Sequence, residues 1–316
     1  SMELKQGDQV ITTPITFAAS ANCVRYTGAE ILFADINPDN WLLDLNQVKG
    51  LLEKDSQKKI KGIIPVDFTG LSVNMQAFRD LADKYGLWII EDSCHAPGAF
   101  FIDQNAQKHY CGNGQYSDLS IFSFHPVKHI AAGEGGMITT NSEELAQKIR
   151  LLRSHGITKN PDHLNEVHGG WYYEQQELGF NYRITDFQAA LGLSQLKRAE
   201  KNLIKRRNIA KRYLEELKGL PLTLPEWNEG HAWHLFVVLT EKRKELYDFL
   251  RTKQIFTQVH YIPLHLMPYY QQFGWQKGNF PNSEAYYEKC LSLPMFPSLK
   301  DTEQEYVIKS LKDFFS

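Results

Sequence analysis

Apolar runs and amphipathic stretches alternate through the first half of the chain. Residues 9–12 (QVIT) and 31–34 predict short strands, and 60–67 (IKGIIPVD), with Pro65 near its end, and 87–91 (LWIIE) predict buried ones. Two more are expected at 119–124 and 137–140. Between them, residues 16–26, 45–52 and 75–85 carry apolar side chains at helical spacing. Asp44 stands where the second of these helices starts and Gly86 just past the third, residue types that open and close helices. Continuous apolar strands separated by helices predict an α/β fold with a mostly parallel central sheet sandwiched by helices.

The second half is patterned differently. Residues 143–155 predict a helix, and 184–217 a long helical region carrying Leu191, Leu193, Leu196, Leu203 and Ile204. Between them, 157–176 is polar and contains Pro161, Gly169 and Gly170. A loop of that length is expected to be functional or disordered. Residues 219–230, with Pro221 and Pro225, read as a boundary. A strand (235–239), a helix (242–253), a strand (256–260) and two helical segments follow. The expected organisation is a large domain over 1–218 and a small C-terminal α/β domain over 219–316.

Composition narrows the class. With 316 residues, 42% hydrophobic and 23% charged, the chain can bury a large core. Thirty-five basic residues against 37 acidic ones leave no basic footprint, so no nucleic-acid partner is expected. The one basic run, Lys205-Arg206-Arg207, predicts a solvated helix face. Cys23, Cys94, Cys111 and Cys290 lack metal-ligand spacing and make no disulfide framework, which suggests reduced thiols in a cytoplasmic protein and no metal site. No apolar run approaches the roughly 18 residues that span a bilayer, so no membrane association is expected. No signal peptide is visible, and Ser1-Met2 reads as a remnant of expression.

Ligands of open parallel sheets sit beyond the carboxyl ends of the strands. Three polar clusters fall there: Thr13 to Phe17, Asp92 to His95, and Ser123 to Lys128. An aldehyde cofactor with a pyridine ring suits this set. A desolvated Lys128 can meet the carbonyl, Asp92 can keep the ring nitrogen protonated, and Phe17 can cover the ring. His95 can bond the ring's 3-oxygen, and Ser123 with nearby N–H groups can hold phosphate. Taken singly, each residue has a plainer reading: a loop aspartate, a surface lysine, a structural histidine. Only the combination points to chemistry.

The stretches GDQVITTPITFAASANCVRYTGAEILFADI (7–36), IIEDSCHAPGA (89–99), SIFSFHPVKHIAAGEGGMITT (120–140), LRSHGI (152–157) and NYRITDFQAALGLSQL (181–196) resemble the DegT/DnrJ family. The resemblance implies aminotransferase fold type I and a pyridoxal 5'-phosphate-dependent transaminase acting on nucleotide-linked keto sugars. RSHG, ALGLSQLK and TQVHYIP (257–263) are most similar to the branch working in pseudaminic acid biosynthesis. There the donor is L-glutamate, and the acceptor is C4 of a UDP-linked 4-keto-6-deoxy amino sugar.

Residue by residue, Lys128 matches the Schiff-base lysine, Asp92 the carboxylate on the pyridine nitrogen and His95 the contact to the 3-oxygen. Phe17 matches the aromatic on the ring and Ser123 a phosphate contact. Asn181 matches an asparagine reaching the neighbouring subunit's phosphate, which implies a homodimer. His260 and Tyr261 fall near the family's sugar-nucleotide site. The family also carries a segment before GDxV with a Ser/Thr turn that cradles the phosphate. The chain opens just before GDQV, so weak cofactor binding and impaired activity are expected. Sugar dehydratases on this fold replace the lysine by histidine, and Lys128 argues against that reading. An aminotransferase for another keto sugar, or a non-catalytic relative binding a nucleotide sugar or partner chain, remain alternatives.

Overall fold

The structure, a computed structural model, describes residues 1–316. In chain order the first half runs β1 (Gln9–Thr12), α1 (Ala19–Arg25), β2 (Glu30–Phe33), α2 (Leu45–Lys54), β3 (Ile60–Ile63), α3 (Met75–Tyr85) and β4 (Trp88–Asp92). Next come β5 (Phe100–Ile102), β6 (Lys108–Tyr110), β7 (Leu119–Ser123), β8 (Gly136–Thr139) and α4 (Glu143–Leu152). Then follow β9 (Ile157–Thr158), β10 (Glu174–Gln175), α5 (Asp186–Leu196) and α6 (Ala199–Glu216). The chain ends with β11 (Phe236–Leu239), α7 (Arg243–Thr252), α8 (Pro268–Gln271), α9 (Pro281–Lys289), β12 (Cys290–Leu293) and α10 (Asp301–Phe315).

Six strands form one sheet in the order β2-β1-β3-β4-β7-β8. The first five are parallel, and β8 returns antiparallel along β7 with Ser123 opposite Gly136. The parallel strands bring their carboxyl ends to one edge, so Thr12, Asp92 and Ser123 all face the same crevice.

Local chemistry sets the helix ends. Asp44 accepts the Asn46 N–H at 2.7 Å and opens α2, and Asn74 accepts the Ala77 N–H at 3.2 Å and opens α3. Gly86 closes α3 with φ +68°, its N–H reaching the carbonyls of Ala82 and Asp83. α1 starts at Ala19, later than the pattern predicts, because residues 13–17 are held in a turn where Thr13 Oγ1 accepts the Ile15 N–H. β3 stops at Ile63, ahead of Pro65, which has no N–H to donate, although Val66 still bridges Asp92.

Several features depart from the sequence pattern. The short β5–β6 hairpin and β12 were not expected. The strand expected at 256–260 is a single bridge from Gln258 to Ser292. The helical region at 184–217 is two helices, broken at Lys197 and Arg198. The polar stretch at 157–176 folds as the β9–β10 ribbon around a 3-10 turn at Pro161–His163.

Arg206 corrects the reading of its basic run. Lys205 is exposed, but Arg206 is buried, with Nη1 donating to the carbonyls of Trp233, His234 and Met295 at 3.1, 3.2 and 3.0 Å. A helix in contact with the core on one side turns only part of a three-residue run to water, and a guanidinium can be buried if carbonyls receive its hydrogens. One apolar cluster is centred on the sheet and includes Ile11, Ile63, Phe68 and Ile89. A second joins the last turns of α6, through Ile209, Ala210, Tyr213 and Leu217, to β11, β12, α7 and α10.

Candidate active site

Asp92 closes β4 and is buried. Its two oxygens are held apart: Ser20 Oγ donates to Oδ2 at 2.6 Å and the Cys94 N–H to Oδ1 at 3.1 Å. Thr16 Oγ1 bonds Ser20 Oγ at 2.8 Å, so the turn after β1 and the start of α1 fix this carboxylate. The sequence reading missed Ser20. Its four-residue spacing from Thr16, at the opening of a helix, was the available signal.

Lys128 follows β7 in a turn whose N–H bonds the His125 carbonyl at 2.9 Å. Burial lowers the ammonium's pKa, against the raising influence of Cys94 and Asp92. The same carboxylate neighbour and burial push the Cys94 thiol far up, burial being the larger cause.

His95 lies beneath this pair, buried between aromatic rings. Phe68 and Tyr261 have centroids 6.0 and 6.3 Å from it. Its Nε2 is 3.3 Å from the Tyr261 hydroxyl, and its Nδ1 has no partner. Burial, then the charge of Lys128, holds the imidazole well below its ordinary pKa. The Tyr261 ring sits 6.3 Å from that of Phe17, which is 63% exposed at the crevice mouth. His260 bonds Ser292 Oγ through Nδ1 at 2.8 Å, and burial with Lys128 nearby lowers its pKa to about 4.

The structure thus gathers Lys128, Asp92, His95, Tyr261, Phe17 and His260 around one crevice. Ser123 ends β7 and its Oγ accepts the His125 N–H at 3.3 Å. Asn181 stands apart, on an exposed segment bridged to Ser154. His129 is half-buried behind the crevice with its ring 5.4 Å from that of His234, placed there by a turn rather than by the extended segment considered from the sequence.

Beneath Asp92 lies a second carboxyl pair. Asp67 accepts from Ser93 Oγ at 2.9 Å and the Val73 N–H at 2.9 Å, and Glu91 from Ser120 Oγ at 2.7 Å and the Gly112 N–H at 3.0 Å. Both are fully buried and within 4.8 Å of each other and of Cys111 Sγ. Burial raises both pKa values, and the charge of Glu91 raises that of Asp67 further. Both carboxyls are thereby biased towards their protonated forms.

A doubly covered α/β sheet of this order, with lysine, aspartate and histidine at its carboxyl edge, is the aminotransferase fold of pyridoxal-phosphate-dependent transaminases. The chain belongs to the DegT/DnrJ/EryC1/StrS aminotransferase family, whose profile matches residues 1–312. It is 39% identical over 318 residues to the spore coat polysaccharide biosynthesis protein SpsC of Bacillus subtilis, covering 97% of this chain and 79% of SpsC. The structure matches Helicobacter pylori PseC, an aminotransferase involved in the biosynthesis of pseudoaminic acid. That match has a TM-score of 0.88 and 31% identity, covering 100% of this chain and 81% of PseC. NtdA of Bacillus subtilis, with bound cofactor PMP, superposes with a TM-score of 0.85 and 30% identity over 99% of this chain and 69% of its own.

The protein is a pyridoxal-phosphate-dependent sugar aminotransferase. Its crevice suits that cofactor. The unpartnered Nδ1 of His95 is a buried polar atom awaiting a bond, and the amine of Lys128 is depressed towards its neutral form. Asp92 is an acceptor fixed on both oxygens. No helix is long and apolar enough to cross a membrane.

Proposed function

We propose that the protein moves an amino group from L-glutamate to C4 of a UDP-linked 4-keto-6-deoxy amino sugar, as in pseudaminic acid biosynthesis. The observation that carries the site is the convergence of Lys128, Asp92 and His95 at the carboxyl ends of β4 and β7. Support for the substrate is the likeness to PseC and the RSHG, ALGLSQLK and TQVHYIP segments. The identity to SpsC favours a second reading, a different keto sugar destined for a polysaccharide.

Pyridoxal phosphate, when bound, supplies an aldehyde to receive the amino group and a pyridinium to delocalise the electron pair released at carbon. The chain's residues would do the rest. Lys128, half-buried and depressed in pKa, would provide the amine that attaches the cofactor and carries a proton to and from the reacting carbon. Asp92 holds the proton on the ring nitrogen. His95 bonds the 3-oxygen through Nδ1 while Nε2 stays with Tyr261. Phe17 covers the ring, and Ser123 contributes to the phosphate site. His260 and Tyr261 border the sugar nucleotide.

The active form is a homodimer in which Asn181 reaches the partner's phosphate site. Helix α5 supports this, because it exposes Phe187, Leu191, Leu193 and Leu196, and an exposed apolar patch of that kind belongs inside an assembly. We assign the cofactor-binding domain to 1–218 and the small domain to 219–316; the apolar cluster around β11 and β12 forms the core of the latter, with the last turns of α6 packed into it.

The test is to incubate the protein with pyridoxal phosphate, glutamate and either the UDP-linked 4-keto sugar or a dTDP-linked one, and to follow product by mass spectrometry. Borohydride reduction should place the cofactor on the peptide containing Lys128, and Lys128→Ala should abolish both label and product. A label on another lysine sinks the site. Turnover of the dTDP sugar alone sinks the substrate.

A further inference from the structure

Behind the crevice three imidazoles lie in a row. The His234 ring is 4.2 Å from that of His95, with planes 32° apart, and 5.4 Å from that of His129. Burial is the main cause holding all three far below their ordinary pKa, and Lys128 adds to each. The planes are tilted rather than parallel, by 32° between His95 and His234 and by 43° between His129 and His234. Each has one ring nitrogen without a partner: Nδ1 in His95 and His234, Nε2 in His129. Unsatisfied buried nitrogens are destabilising, and three side by side call for a reason.

The backbone under His234 is also held in an uncommon shape. Trp233 and Thr69 have φ of +51° and +60°, a region that side chains other than glycine rarely adopt. The two segments clip together, Ala232 N–H to Gly70 O at 2.8 Å and Leu235 N–H to Thr69 O at 3.1 Å. Gly70 is pressed so closely that a Cβ there would lie 2.9 Å from His95 O and 3.0 Å from His234 N. Arg206 locks the turn from behind, through its bonds to the carbonyls of Trp233 and His234. Such strain survives only where the surroundings over-determine it, and it concentrates at functional sites.

We propose that His234 is a positioning residue, the middle ring of a buried row that sets the plane of His95 on one side and seats His129, next to Lys128, on the other. It acts through those two residues. The inference rests on the roles proposed above for His95 and Lys128.

The experiment compares His234→Leu, which keeps bulk but removes the aromatic face, with His234→Phe, which keeps the face and removes both nitrogens. Histidine-selective nitrogen NMR of the ligand-free protein reads the His95 ring. Cofactor titration and steady-state kinetics read the consequence. In H234L the His95 signals should move and kcat should fall on the order of 10–100-fold, with KM for glutamate unchanged within about threefold. In H234F both should return most of the way. Unchanged His95 signals in H234L overturn the proposal, as does an H234F variant whose His95 signals match those of H234L. His95→Ala separates the two readings: if it leaves cofactor affinity and kcat intact, the role of His95 fails while the ring measurement still decides His234.

Discussion

Asp92 shows how much one side chain depends on its immediate donors. Ser20 and the Cys94 amide fix both oxygens, so Asp92→Asn should preserve the fold and some cofactor binding. Turnover should drop by about 10²–10⁴, because the charge that stabilises developing negative charge is gone. Single-turnover kinetics check this, and near-normal rates would assign the task to another group. The neighbouring Asp67–Glu91 pair titrates with the opposite logic. A carboxyl whose pKa is raised by folding lends stability that is full below its unfolded value and lost as pH rises through the folded one. Asp67→Asn mimics the protonated acid, keeps an acceptor for the Val73 N–H and offers Glu91 an N–H donor. It should be within about 1 kcal/mol of wild type at neutral pH and should lessen the loss of stability on the alkaline side. Urea midpoints between pH 5 and 9 test it, and a steeper alkaline loss in the variant would refute the raised pKa of the pair. The buried histidines pull the other way. Burial holds His95, His129 and His234 well below the ordinary value, His260 at about 4 and His231 at about 3. Their contribution is complete above about pH 6.5 and is lost as pH falls towards those values. Five such groups outnumber the two carboxyls, so the urea midpoint should fall from pH 7.5 to pH 5.

At the scale of elements, the short turn at Phe68–Gly70 and the segment 231–235 behave as one clasp, although 162 positions separate Thr69 from its partner His231. Gly70 has φ +101°, and the nearest atoms to an added Cβ are all backbone. Neither conformation nor space can relax cheaply. Gly70→Ala should cost about 1–3 kcal/mol and shift the His95 signals, readable by urea unfolding and by the same nitrogen spectra. A loss below about 0.5 kcal/mol would mean that the clasp yields. The same clasp explains why Arg206 is buried. Its three carbonyl partners come from residues brought in by β11 and the end of β12 and all accept from Nη1, while Nε has no partner, and burial lowers its pKa to about 10.

At the scale of the molecule, the main unpaired surface is apolar and lies on α5 and the segment before it. Phe187 is 91% exposed and Leu178 88%, values that suit an interface better than solvent. If two copies meet there, Phe187→Glu should weaken association by roughly 30-fold or more, the weight of a buried aromatic anchor. Analytical ultracentrifugation across a concentration series checks it, and a variant dimerising like wild type would move the interface elsewhere.

The strands at the sheet's centre were legible in the sequence, because a strand buried on both faces must be apolar throughout and its neighbours in a parallel sheet must be helices. So were Asp44 and Gly86, whose effects act within a turn. The crevice was legible in outline, since Asp92 ends one strand and Lys128 lies in the turn after another. What the sequence left undetermined depended on distant partners. Arg206 read as solvated because nothing within its helix announces the three carbonyls that receive it. His234, just before the strand expected at 235–239, drew no notice, since its ring partners lie more than a hundred positions away. The direction of β8, the pairing of β11 with β12 and the lowered pKa of Lys128 all come from neighbours that only the folded chain assembles. Local propensity and periodicity are short-range quantities, whereas burial, and with it the protonation of lysine, histidine and paired carboxyls, is a property of the whole packed structure.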